Sequence, residues 1–390
     1  MAGARMRRRI GRLALAAAAL AVAAAAAEGW LRLRGARPVQ VNREQALFWR
    51  HDPQLGWHHR PGARGRYSDA KRLFTNSVAI NAQGLRDNPC AYERTPGRRR
   101  ILVLGDSFAW GFGVEQDETF SERLERSLPD TEVINAGVSG YSTDQELLWF
   151  EREGTNYRPD VVVLCFTGND EWMNRERLAY YIYYKPWFTL EAGDGQGRSR
   201  PTGAQTESEF WRALGPERRA QPVNDGMLRL HGVPVPRAAA RTRAIYWLRQ
   251  RSALARTMLD ALAAAPRPPS ARGAGAPTPA GGGAAGPSPA AAQPFALTRA
   301  LIARLAARAA EGGARFIVVA NAFAWRDAAD ASRYADFVAA LRADGHAVID
   351  VESLPSFDRR RMVIPGDGHW NAAGHACVAE ALRRALGGGE

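Results

Sequence analysis

Lysine is nearly absent from this chain: of 53 basic residues only Lys71 and Lys185 are lysines, and the rest are arginine. With 40 acidic residues the formal net charge is +13 and the isoelectric point about 10.3. Such a balance would suit a nucleic-acid binder, but no recognition helix and no interleaving of basic and aromatic residues accompany it. The arginines are spread through an Ala-, Gly- and Pro-rich chain as a compositional bias, so no nucleic-acid partner is expected. Weak attraction to anionic lipid headgroups or acidic polysaccharide is the secondary effect such a surface allows. Cysteine is equally scarce. Cys90, Cys165 and Cys377 have no metal spacing and no obvious disulfide partners, and Cys165 and Cys377 lie among apolar neighbours, where a thiol acts as a small hydrophobe. His51, His58, His59, His231 and His346 show no ligand spacing either, so neither a metal nor another cofactor is expected.

Apolar runs longer than a strand are also rare. One, residues 13–27, has fifteen residues without a polar side chain, preceded by Arg5, Arg7, Arg8, Arg9 and Arg12 and followed by Arg32, Arg34 and Arg37. The arginine excess before the run favours an N-terminus kept in the cytoplasm, as in a signal anchor or signal peptide. Fifteen residues reach only about 22 Å as a helix, against a bilayer core of about 30 Å. Ala25-Ala26-Ala27 would also satisfy a cleavage site, so release rivals anchoring. Either way the expectation is a bacterial inner-membrane protein with a periplasmic domain, or one released to the periplasm.

What the chain does have is an apolar strand that stops at a serine. Residues 99–104 have the β-branched and aliphatic character of a strand buried on both faces, and Gly105-Asp106-Ser107 ends it abruptly. A helical pattern over 117–128 follows, which places Ser107 at a strand-to-helix crossing, on the edge of a parallel sheet where ligands bind. Taken alone, Gly-Asp-Ser reads more readily as a turn capped by Asp106 and Ser107 than as a catalytic site. Three further blocks change the weighing: Val133-Ile134-Asn135-Ala136-Gly137-Val138-Ser139-Gly140, the strand 161–166 with Thr167-Gly168-Asn169-Asp170, and Gly366-Asp367-Gly368-His369-Trp370-Asn371.

A serine hydroxyl needs a base to take its proton, and a histidine suits that task and the later protonation of the leaving group. His369 is the expected base. Asp367, two residues before it, can reach the other ring nitrogen from an extended or turn segment. His375, within a helical pattern over 371–386, is expected to be structural.

The four ordered blocks resemble the SGNH/GDSL hydrolase superfamily over residues 98–170 and 295–386. The resemblance implies a three-layer α/β/α fold with a parallel, flavodoxin-like sheet, and an acyl-enzyme on Ser107. It implies oxyanion donors at the backbone N–H of Ser107, the N–H of Gly140 and the side-chain amide of Asn169, with Gly137 as the alternative glycine. Many relatives carry the acid three residues before the histidine, where this chain has Gly366; the shorter Asp-x-His spacing resembles some O-acetyltransferase relatives.

The remaining organisation is expected as follows. Residues 1–29 are the signal segment and 30–97 a pre-domain of short strands and turns near 55–57, 78–81 and 84–87, an arrangement that resembles membrane-anchored bacterial members of the superfamily. The hydrolase domain, 98–390, carries an insertion at 171–294. Its aromatic start, 180–188, would form either a lid or acyl-binding wall over the site or a hairpin in a satellite core, with 187–190 pairing with a strand near 227–236. Residues 263–294 read as a disordered Ala/Pro/Gly/Ser linker. The core resumes with a helix at 297–310, a strand at 316–320, a helix at 332–343 and a strand at 347–351. The expected function is an exported serine esterase or deacylase acting on a small acyl ester or acylated glycan. The rivals are an O-acyltransferase using the same triad and a non-enzymatic carbohydrate-binding or assembly module.

Overall fold

A computed structural model describes residues 2–34, 45–52, 54–69, 72–175, 178–179, 183–186, 188–190, 201–202, 248, 251–264, 295–323 and 328–387. The chain divides into two compact units, 1–42 with 235–284, and 43–234 with 285–390. In the first, α1 (Ala2–Leu33) includes an apolar stretch, Ile10–Leu33, of 24 residues, within which an 18-residue window has a mean hydropathy of 1.9. That is longer than the fifteen-residue run suggests, because Trp30, Leu31 and Leu33 continue the apolar surface beyond Glu28. At 1.5 Å per residue it reaches about 36 Å, enough to cross a bilayer core of about 30 Å. The Glu28 carboxylate accepts the backbone N–H groups of Ala253 and Leu254 at 3.0 and 2.8 Å, at the start of a second helix, Ala253–Ala264.

The second unit is built on parallel strands. Antiparallel pairs come first: β1 (Trp49–Asp52) with β2 (Gly56–His59), and β3 (Arg64–Ser68) with β4 (Thr75–Ala79). Then β5 (Arg99–Gly105), β6 (Thr131–Asn135), β7 (Val161–Thr167), β8 (Arg315–Asn321) and β9 (Ala347–Asp350) form one parallel sheet in the order β9-β8-β7-β5-β6. From β5 the chain moves one way to β6 and then crosses back to β7, so the strand order reverses beside β5, and in open α/β sheets ligands bind outside the carboxyl ends at such a reversal.

The period of two along each strand divides the core. Leu102, Leu104, Ile134, Val162, Leu164, Phe166, Val318 and Ala320 face one apolar cluster. Ile101, Val103, Val133, Val161, Val163, Cys165, Ile317 and Val319 face the other. Between the strands run α2 (Ser107–Trp110), α3 (Phe120–Ser127), α4 (Thr143–Arg152), α5 (Ala296–Glu311) and α6 (Ala328–Ala343), and α7 (Ala372–Ala385) follows the last strand. The fold is three-layered α/β/α. The helix expected over 117–128 begins three residues late, because Thr119 accepts the N–H of Glu122 and caps it.

In the insertion, Leu178–Ala179 pairs antiparallel with Tyr183–Tyr184, and Phe188 is buried in the first cluster. Thr189–Leu190 pairs with Pro201–Thr202, a nearer partner than the expected strand at 227–236, which lies outside the described residues together with 265–294.

Candidate active site

Ser107 opens α2, two residues after the end of β5. Asp106 caps α2: its Oδ1 accepts the N–H of Phe108 at 2.9 Å and the hydroxyl of Thr167 at 3.1 Å. The turn-capping reading therefore applies to Asp106, and the same cap delivers the neighbouring hydroxyl to the sheet edge. Gly105, at φ 153°, leaves no room for a side chain, since a Cβ would lie 2.8 Å from the Cβ atoms of both Ala109 and Cys165. Burial is the main influence raising the Asp106 carboxyl above its ordinary range, opposed by its hydrogen bonds and by nearby His369.

The Ser107 Oγ is 2.7 Å from His369 Nε2. Asp367 Oδ1 accepts from His369 Nδ1 and also from the backbone N–H of His369 at 3.1 Å. A carboxylate can only accept, so Nδ1 carries the ring proton and Nε2 is left to accept from the serine. Side-chain exposures of 12% and 17% for His369 and Asp367 leave the pair half-sheltered. Phe108, Phe112 and Phe323 surround the imidazole at ring-centroid distances of 4.6, 4.4 and 5.0 Å.

The loop bearing this pair is a tight return. Val363 bridges Trp370, Ile364 N–H donates to the carbonyl of His369 at 2.8 Å, and Asp367 and Gly368 donate back to Ile364 O at 3.2 and 3.0 Å. Gly366 has φ 78°, a left-handed conformation that strains most side chains. The loop thus favours glycine at 366 and puts the acid at 367.

Gly140, at φ 85°, lies in the turn closed by Tyr141 N–H on Val138 O at 3.0 Å, and Trp57 Nε1 donates to the adjacent Ser139 O at 3.2 Å. Gly137 is differently placed. Its N–H donates to Asn135 Oδ1 at 3.0 Å, and a Cβ there would come 2.5 Å from the backbone nitrogen of Trp110. Its N–H is committed within the fold and its lack of a side chain serves close packing on α2. Asn169 follows β7, its amide beside the Asp106 carboxylate; Nδ2 donates to Met173 Sδ at 3.3 Å, and the buried Oδ1 has no hydrogen-bond partner among the described residues. His375 is buried in α7, where Nδ1 accepts the N–H of Phe120 at 3.2 Å.

Sequence reasoning missed the polar groups behind this edge. Asn135 Nδ2 donates to Ala109 O at 2.8 Å, and Asp87 Oδ2 accepts the N–H of Asn135 at 2.9 Å. Lys185 and Asp144 form a fully buried ion pair. Burial, with neighbouring carboxylates, pushes Glu146 and Asp170 well above the usual carboxylate range and favours their neutral forms. The sequence signal for Asp170 is an acidic residue directly after an apolar strand and the Gly168-Asn169 turn. Among the described residues no group of three or more His, Cys, Asp or Glu side chains could hold a metal ion.

The sequence model of the GDSL-like Lipase/Acylhydrolase family matches residues 103–377. Among solved structures, the chain is similar to TesA at 12% identity, covering 74% of this chain and 99% of that one, with a TM-score of 0.36. It is also similar to the psychrotrophic esterase EstA from Pseudoalteromonas sp., at 10% identity over 74% and 96%, with a TM-score of 0.35. A catalytic mutant of Axe2, an acetylxylan esterase from Geobacillus stearothermophilus, matches at 10% identity over 74% and 94%, with a TM-score of 0.35. No curated protein sequence matches.

Proposed function

From the premise that this chain belongs to the GDSL-like lipase/acylhydrolase family and is a carboxylic ester hydrolase, we propose that Ser107, His369 and Asp367 are its nucleophile, base and orienting acid. The observation that carries the reading is the continuous hydrogen-bond chain from the Ser107 hydroxyl through His369 to Asp367. His369 Nε2 takes the hydroxyl proton as Oγ attacks the ester carbonyl, and Asp367 offsets the positive charge the ring then carries. The carbonyl oxygen becomes an oxyanion, met by the N–H of Ser107, the N–H of Gly140 and the amide of Asn169. One such donor is worth about 2.7–4 kcal/mol in a well-studied case. Collapse expels the alcohol, which leaves with the proton held on Nε2. A water activated by the same nitrogen then attacks the acyl-enzyme, releasing the carboxylate and restoring Ser107.

The same reading takes α1 as a signal anchor or signal peptide and puts the hydrolase unit in the periplasm, supported by the 24-residue apolar stretch and the arginines before it. The Asp-x-His spacing favours one second reading, an O-acyltransferase in which a glycan hydroxyl replaces water at the acyl-enzyme. Ser107→Ala should abolish turnover of an activated acetate ester and labelling by a serine-directed phosphonate while leaving the fold intact. Full turnover or equal labelling would remove Ser107 from the mechanism. Supplying glycan acceptors to the wild type separates the two readings: acylated glycan among the products identifies the transferase, and free acid alone the hydrolase.

A further inference from the structure

A helix of four residues cannot satisfy its own last carbonyls. In α2 the Ser107 carbonyl is taken by the N–H groups of Gly111 and Phe112 at 3.1 and 2.9 Å, and that of Ala109 by Asn135. The next ones are taken from outside the sheet domain. Arg86 Nη1 donates to Trp110 O at 3.0 Å and Gly111 O at 2.6 Å, and Nη2 to Val114 O at 2.7 Å and Ser77 O at 3.3 Å. Its guanidinium lies over the Trp110 ring, 4.7 Å from the centroid, and the residue is only 1% exposed.

We propose that Arg86 is a positioning residue for the Ser107–His369 pair, clamping the segment 110–114 that ends the serine's helix and carries the ring behind the histidine. The proposal rests on the reading of Ser107 as nucleophile. The clamped segment includes Phe112, whose ring packs on His369 at 4.4 Å and is itself met edge-on by Phe74 at 4.8 Å, the residue before β4. One guanidinium thus fixes both the end of α2 and a wall of the imidazole. Burial lowers the Arg86 pKa to about 10, so it remains charged at neutral pH. Among the described residues no carboxylate forms an ion pair with it; carbonyl dipoles supply the compensation a buried charge requires. A planar fork can bond carbonyls on two sides at once, which an ammonium at a single point cannot. Next along the chain, Asp87 anchors Asn135 and through it Ala109 O, so the Arg86-Asp87 pair holds α2 from both sides.

The test uses the full chain in detergent, with wild type, Arg86→Lys and Arg86→Met compared by turnover per site, the sites being counted by end-point phosphonate labelling. Positioning predicts folded Arg86→Lys with kcat per labelled site at least tenfold below wild type, KM within about twofold, and a phosphonate labelling rate lowered in step with kcat. In Arg86→Met, added methylguanidinium should restore part of the turnover. The proposal is overturned if both variants keep kcat per labelled site within twofold and lose only the number of sites, or if neither yields folded protein, since Arg86 would then serve the fold alone. Ser107→Ala, run beside them, fails separately: turnover retained there refutes the nucleophile, whatever Arg86 does.

Discussion

Replacing Asp367 by asparagine tests the orienting acid with almost no change of shape. Asp367 Oδ1 accepts two N–H groups of His369, one from the ring and one from the backbone at 3.1 Å. An asparagine that sets its amide oxygen in the Oδ1 position keeps both bonds and loses only the carboxylate charge, whereas one that sets its NH2 there turns that group towards Nδ1. The ring must then give up the Nδ1 proton and carry it on Nε2, where it faces the Ser107 hydroxyl and cannot accept from it. In a well-studied serine protease this substitution costs about 10⁴ in kcat, which corresponds to about 5.5 kcal/mol of barrier. Here both side chains retain some water contact, at 12% and 17% exposure, so water can partly stabilise the competing tautomer. The expected loss is therefore between about 10² and 10⁴ in kcat, with KM little changed, because the acid does not touch the substrate. Steady-state hydrolysis of an activated ester by Asp367→Asn, normalised to folded protein, measures it. A loss below about tenfold, or roughly 1.4 kcal/mol, would show that something other than Asp367 orients the ring.

Gly137→Ala should cost about 1–3 kcal/mol of stability by overpacking and lower turnover more than tenfold, because its Cβ would press on the backbone of α2 at 2.5 Å. Gly312→Ala, where the nearest atom is Ala309 O at 3.4 Å and φ is negative, is the control and should be near neutral; equal effects in urea unfolding would refute the packing argument. Burial lowers the His375 pKa to about 3, so between pH 6.5 and 3 the unfolded chain takes a proton that the folded one refuses. Its contribution is complete above pH 6.5 and is lost on acidification at about 1.4 kcal/mol per pH unit. His375→Gln, which can still accept from Phe120, should flatten the fall of stability between pH 6.5 and 5 by that amount, and an unchanged slope in urea titrations would contradict it.

The parts of the molecule legible in the sequence are those whose information is local. The strands β5, β7 and β8 are runs of seven residues buried over most of both faces, so their apolar content alone marks them. Ser107, Asn169 and the Asp367-Gly368-His369 run follow strands or turn signals directly, and short motifs show them. Pairings across the chain have no such signature. The partner of Thr189–Leu190 is eleven or more residues away at Pro201–Thr202, because strands of two residues are too short to leave an apolar period in the sequence. Gly84-Leu85-Arg86-Asp87 reads as a turn because nothing local says which carbonyls an arginine will meet 24 to 28 residues later.

The displaced acid at 367 shows where the two kinds of information meet. Spacing alone leaves open whether an aspartate two residues before the histidine can reach the ring. The answer depends on the return of the chain at 363–370, where Ile364 receives two N–H groups and Gly366 and Gly368 both take positive φ, at 78° and 107°. Two left-handed residues bracketing Asp367 turn its side chain back onto the histidine that follows, so one carboxylate oxygen meets both ring and backbone nitrogen. A residue with a Cβ at 366 would strain that return, and restoring the acid there at the expense of 367 would remove the partner that the loop has been shaped to present.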